Sequence, residues 1–163
     1  MNAERLQELL CYNPVTGIVT VRETGRPLLV QEDKLVHVRD PVAKKVKKFK
    51  LGKLCYSLLH GVDLTKEDRV VHKNLDNTDC SAHNLMLVDM QQNREIREAW
   101  KNIQGGIRLV PHPTDIYCYR LHWFQDGTEK TKIIKDIVVA ERMKRRLLLK
   151  YSKILTKYCN SSD

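Results

Sequence analysis

The stretch from Arg69 to Asn93, RVVHKNLDNTDCSAHNLMLVDMQQN, constrains the chain more than any other. It runs from an apolar pair into His72 and Asn74 and through the turn-forming run Asp76-Asn77-Thr78-Asp79. His83-Asn84-Leu85 then lead into a patterned segment that reaches Asn93. Asp, Asn and Thr in close succession bond to their own backbone and set a turn between the flanking apolar runs. Beyond that turn Asp89 is a candidate N-cap, and Ile96 and Trp100 lie four apart on one face of a helix predicted over 90–100. Two of the six histidines fall inside the stretch, so groups able to move protons are concentrated there.

Ahead of this stretch, Leu6, Leu9 and Leu10 predict a short amphipathic helix over 2–11, ended before Pro14. Asn13-Pro14 and Gly17 read as a turn, and the β-branched run that follows reads as a strand. From Arg22 to Asp40 the pattern is strand and loop, with Leu35 to Val38 as one strand. Lys44, Lys45, Lys47, Lys48 and Lys50 alternate loosely with Val46 and Phe49, which predicts a basic strand or hairpin. Such a run is either a solvated face or a surface that tracks phosphates, with the lysines presented on one side. Residues 51–60 have helical apolar spacing, with Leu54, Cys55, Leu58 and Leu59 inward and Gly61 closing the helix.

The order His72, Asn74, Asp76, Asp79, Asn84-Leu85 and Asn93 resembles the HNH (ββα-metal) endonucleases of the phage and homing type. The helix followed by Tyr12-Asn13-Pro14-Val15-Thr16-Gly17-Ile18 resembles the opening of many of their phage members. The resemblance implies an α+β fold whose ββα core spans 69–101. Its first strand would be Val70 to Lys73, its loop Asn74 to Asp79, its second strand Leu85 to Val88 and its helix Met90 to Trp100. It also implies His72 as the general base that takes a proton from water attacking a phosphodiester, since imidazole titrates near neutral pH. Asn84 would fix the loop and orient that histidine. Asn93 would be the carboxamide ligand to a divalent metal, Mg2+ or Mn2+.

Three positions depart from the family pattern. Val71 stands where the family places a second metal ligand, and valine cannot ligate. Leu75 replaces the loop glycine, which makes a left-handed backbone there costly. Gly52-Lys53 stand where the family's underlying helix usually carries His-Arg. Three outcomes follow for the site. Asp76 or Asp89 takes the place of the missing ligand, or catalysis is lost and DNA binding kept, or the alignment of the motif is shifted. His83 falls at a variable position of the family and reads as a surface residue.

In the last third Gly105-Gly106 mark a hinge, and strands are predicted over 107–110, 116–123 and 128–134, with Asp126-Gly127 as a hairpin turn. The second of these strands would put Tyr117, Tyr119, Leu121 and Trp123 on one face. One long helix follows from Lys135, with Asp136 as N-cap and Val139, Met143, Leu147 and Ile154 inward. Three strands and a helix opened by Gly-x-Arg are similar in layout to the DNA-binding domain of ethylene-response factors. That layout implies a sheet in the major groove, with Arg108 and Arg120 as the matching arginines. The other reading is a small α+β cap over the preceding module.

The balance of 29 basic against 20 acidic residues, a formal charge of +9, favours a polyanionic partner, because clustered Lys and Arg release counterions from phosphates. The residues assigned to double-stranded DNA are Lys44, Lys45, Lys47, Lys48, Lys50, Lys73, Arg94, Arg97, Arg108, Arg120, Arg142, Arg145 and Arg146. Five cysteines with no C-x-x-C pair predict neither a disulfide scaffold nor a zinc ribbon. No apolar run approaches the ~20 residues a bilayer needs, so no membrane partner is expected and the location expected is the cytoplasm. The chain then divides into an HNH-like module over 1–103 and a DNA-binding domain over 104–163. The activity expected is metal-dependent DNA cleavage. The alternative is an impaired HNH scaffold that binds DNA as a phage regulator or inhibits a host nucleic-acid enzyme. Monomer and dimer are both left open.

Overall fold

A computed structural model describes residues 1–159. The chain is of mixed α+β type and divides into two units, Met1–Met90 and Gln91–Asp163. The division falls inside the third helix, ahead of the boundary expected after residue 103. The reason is packing, since Ala99 and Ile103 belong to the second hydrophobic core.

In the first unit, α1 (Ala3–Leu9) is capped by Asn2, whose side chain accepts from the Arg5 amide at 3.1 Å. The helix is shorter than expected because Leu10 turns to extended backbone and opens β1 (Leu10–Tyr12), which pairs antiparallel with β2 (Val19–Val21). The turn between them is built by Asn13, whose carboxamide oxygen accepts from the Val15 and Thr16 amides. Next come β3 (Leu35–Asp40) and β4 (Lys45–Lys50), an antiparallel pair in which Val36 faces Phe49 and His37 faces Lys48. Arg5 clamps Asp40 at the end of β3 through two hydrogen bonds of 2.9 and 3.1 Å.

The β4 lysines do not share one side, because successive residues of a strand point to opposite faces. Lys45, Lys47 and Phe49 lie across from the inward Asp40, Val38 and Val36, whereas Val46, Lys48 and Lys50 lie across from Arg39, His37 and Leu35. Lys44 sits in the hairpin turn with a positive φ of 49°. The outward basic set is therefore His37, Arg39, Lys48 and Lys50.

Helix α2 (Leu51–His60) buries Leu51, Leu54, Cys55, Ser57 and Leu58, with Leu59 only half-buried, and it ends on the left-handed Gly61. Strands β5 (Arg69–His72) and β6 (Leu85–Val88) form an antiparallel pair with His72 opposite Leu85. A single 3-10 turn, Ala82–Asn84, leads into β6. Leu6, Leu10, Val19, Val36, Val38, Leu54, Cys55, Cys80 and Leu85 lie in one core. Full burial of a Leu or Val there contributes about 1.5–3 kcal/mol.

In the second unit, α3 (Met90–Lys101) runs into a kinked turn, Asn102–Gly106, where Gly105 takes φ 103°. A Cβ on Gly106 would lie 2.5 Å from the Lys101 carbonyl oxygen, so that position admits no side chain, while Gly105 supplies the positive φ of the turn. Strands β7 (Arg108–Pro111), β8 (Tyr119–Gln125) and β9 (Thr128–Ile134) form an antiparallel sheet in that order. Asp126 and Gly127 are both left-handed, φ 52° and 75°, as a two-residue hairpin turn requires. Strand β8 starts later than expected: Ile116 and Tyr117 are 81% and 75% exposed. They stand in a turn closed by the Cys118 amide on the Asp115 carbonyl.

Helix α4 (Ile137–Cys159) starts on Asp136, whose carboxylate accepts from the Val138 and Val139 amides at 2.7 and 3.2 Å. Its inward side is set by the fully buried Ala140 and Tyr151, with Met143, Leu147 and Ile154 beside them. Val139, expected inward, is exposed, because the helix phase follows Ala140. Among the described residues no helix is long and apolar enough to cross a membrane.

Candidate functional site

The loop between β5 and β6 is closed by one buried side chain. Asn84, 2% exposed, accepts from the Asn74 amide at 2.8 Å and donates to the Asp79 carbonyl at 2.6 Å, while its own carbonyl takes the Lys73 amide. An asparagine carries a donor and an acceptor on one short arm, so it can satisfy both edges of a loop at once. Around it, Asn74 donates to Asp79 at 2.9 Å. Asp79 accepts from the Ser81 amide and hydroxyl, and Asp76 accepts from the Thr78 amide and hydroxyl. The Ser81 hydroxyl and amide hold Asp79 below the ordinary carboxylate range, and the Thr78 hydroxyl and amide do the same for Asp76. Leu75, at the family's glycine position, takes φ 66°. The left-handed backbone is thus formed without a glycine, at roughly 1–2 kcal/mol of steric cost.

His72 stands at the end of β5 where this loop begins, half-buried. Its Nε2 lies 3.5 Å from the Cys80 sulfur. On another side is Gly52 of α2, where an added Cβ would come to 3.1 Å from Cε1 and 3.3 Å from Nε2. The ring is therefore seated by Gly52 and Cys80. Asn84 holds the loop but makes no hydrogen bond to the ring, which corrects the orienting role expected of it. Cys80 is itself anchored: its carbonyl accepts from the Tyr12 hydroxyl at 2.8 Å, and a Cβ on Gly17 would collide with its carbonyl carbon at 2.5 Å. The Ala82 amide reaches the Pro14 carbonyl at 2.8 Å. The Asn13–Gly17 turn thus docks directly on the chain beneath the histidine.

Sequence reasoning missed Gly52, Cys80 and Cys55 as parts of this site. The signal for Gly52 was present, since a glycine in a helix costs about 1 kcal/mol relative to alanine and marks a place where something approaches closely. The cysteines carried no signal beyond their number, because a buried thiol reads in sequence as a small apolar residue.

Of the metal ligands considered, Val71 is half-buried on β5 opposite Met86 and offers no donor atom. Asp76 is exposed, with one oxygen engaged by Thr78, and Asp89 is exposed immediately before α3. Asn93 is half-buried on α3, within the second unit. Among the described residues no group of three or more His, Cys, Asp or Glu is arranged to hold a metal ion. The donor set of the first unit does not by itself make a cation shell. His83 lies exposed on the turn before β6, as expected.

The residues assigned to DNA are distributed over both units. Lys73 is half-buried beside the loop, and Arg94 and Arg97 are exposed on α3. Arg108 and Arg120 lie on the face of the three-stranded sheet opposite Tyr119, Leu121 and Trp123, because Arg108 pairs with His122 and Arg120 with Val110. Arg108 is engaged by Glu129 at 2.5 Å. Arg142, Arg145 and Arg146 are exposed on α4. Compared with protein-family models, curated proteins and solved structures, the chain matches none of them.

Proposed function

We propose that the chain acts on double-stranded DNA as an endonuclease of the HNH type, with His72 as the general base. One observation carries this reading. The histidine is seated at the mouth of a loop that a buried asparagine closes, and it is flanked by Gly52, which leaves room for the ring. In the reaction, water attacks phosphorus as its proton passes to the imidazole, and the bond to the leaving oxygen breaks, that oxygen taking a proton from solvent. Magnesium or manganese is the cation this class of reaction implies. The charge of +9, the outward set His37, Arg39, Lys48 and Lys50, and the exposed arginines of α4 support a phosphate-rich partner.

The test is nicking of supercoiled plasmid with either metal. Wild type should give metal-dependent breaks and His72→Ala should lose about 100-fold or more, the contribution typical of a positioned base. No breaks from wild type, or equal cutting by His72→Ala, rejects the reading.

Val71 favours a second reading, in which the scaffold binds DNA without cleaving it, as a phage regulator or as an inhibitor of a host nucleic-acid enzyme. Val71→Asp separates the two. A frame lacking only its ligand gains nicking with that change, whereas an active site does not depend on it. Binding that persists at low salt and weakens steeply as salt rises supports both readings, and its absence rejects both.

A further inference from the structure

We infer that Cys80 is a positioning residue for His72: its sulfur accepts the Nε2 proton of the imidazole, which leaves the Nδ1 lone pair to take the proton from water. The inference rests on the reading of His72 as base and concerns how that base is kept in one tautomer. The geometry that carries it is the 3.5 Å approach of the Cys80 sulfur to Nε2, in a residue only 1% exposed. Nε2 is the ring nitrogen turned toward the protein, as its closeness to Gly52 also requires. No other hydrogen-bond partner of the ring exists among the described residues, so this contact alone selects the tautomer.

The opposite arrangement, a thiol proton donated to Nε2, would put the ring proton on Nδ1 and block the base. A base that works through Nδ1 needs its proton on Nε2, the nitrogen that faces the Cys80 sulfur. Cys55, buried on α2, gives its thiol proton to the Gly17 carbonyl at 3.8 Å and leaves the Cys80 sulfur to the ring. The Cys80 backbone is fixed by Tyr12 and by Gly17, and burial confines its side chain beside the ring.

Long-range 15N–1H correlation spectra of the full-length protein read the tautomer directly, with the His72 signals assigned by their loss in His72→Gln. The expected result for wild type is Nε2 protonated and Nδ1 unprotonated. Cys80→Ala should lose that preference and slow nicking by about tenfold, a part of the base's contribution. Cys80→Ser, which keeps an acceptor, should restore the tautomer and most of the rate. Nδ1 protonated in wild type, or an unchanged tautomer in Cys80→Ala, overturns the inference. Should Cys80→Ala fail to fold, the wild-type spectrum and Cys80→Ser decide it. Wild type with Nε2 protonated but no metal-dependent breaks overturns the nuclease reading alone and leaves the assignment of the proton standing.

Discussion

Each unit contains a buried asparagine that bonds like a piece of backbone, and the two are put to different ends. Asn84 joins the Asn74 amide to the Asp79 carbonyl and so closes a loop that begins at a histidine. Asn102, fully buried, accepts from the Phe124 amide at 2.8 Å and donates to the Phe124 and Glu98 carbonyls at 2.8 and 3.1 Å, which ties the end of α3 to β8. Tyr151 adds its hydroxyl to the same Phe124 carbonyl at 2.8 Å. Around Asn102 the ionisable groups, Tyr151 and Glu98, bond to each other at 3.3 Å and serve packing. Around Asn84 there are a histidine, two cysteines and two carboxylates. The same device of polar satisfaction therefore marks a site only where it positions chemistry.

Replacing each asparagine tests that contrast most strongly. Asn84→Ala and Asn102→Ala should each lower unfolding free energy by about 2–3 kcal/mol, since each leaves buried backbone groups without partners. Urea unfolding measures the loss, and amide exchange locates it at Asn74 in one variant and Phe124 in the other. Nicking by the folded protein should fall only in Asn84→Ala. Equal loss of nicking in Asn102→Ala would break the comparison.

One tight glycine from each unit comes next. Gly52→Ala should slow nicking by about tenfold, as the new methyl displaces the imidazole, while stability changes by no more than about 1 kcal/mol because alanine favours the helix. In the second unit Gly106→Ala sets a Cβ against the Lys101 backbone, which cannot yield as a ring can. It should therefore cost about 1–3 kcal/mol in thermal unfolding with nicking by the folded protein unchanged.

Acid separates the units less sharply. Folding lowers the carboxyl pKa of Asp40, held by Arg5, and of Asp68, Asp76 and Asp79 in the first unit. In the second it lowers Asp115 and Glu129. A carboxylate with a lowered folded pKa stabilises above its unfolded value, 3.8 for aspartate, and loses that contribution as pH falls below it. Amide exchange compared at pH 5 and about pH 3 should therefore show greater loosening in the first unit. Asp40→Asn should remove part of that dependence.

The smallest effect is expected at Leu75. Leu75→Gly relieves the left-handed strain but frees the unfolded chain, so stability should rise by less than about 1 kcal/mol in denaturant. The second unit makes its left-handed turn with Asp126-Gly127, residues suited to it, and has no such strain to relieve. Strain kept next to the histidine fits a loop shaped for a task.

Several of these elements were legible residue by residue. Asp126-Gly127, Asp136 and Gly61 each state a backbone conformation through their own chemistry, and each is found where the sequence places it. The ends of β8 and the inward side of α4 were not legible. Tyr117 alternates correctly for a strand, yet Asp115 captures its amide into a turn. Val139 is as apolar as the buried residues, and Ala140 and Tyr151, which sit fully within the second core, set the rotation of the helix.

For the candidate site, the sequence by itself determined that His72, the turn-forming run and Asn84 lie on one short hairpin. These are local features, and spacing along the chain suffices to state them. Tertiary structure decided what touches the ring: Gly52 from a helix twenty residues earlier and Cys80 held by Tyr12 and Gly17. Close approach between distant segments depends on packed volumes and on backbone groups finding partners, and neither quantity is written in the order of residues.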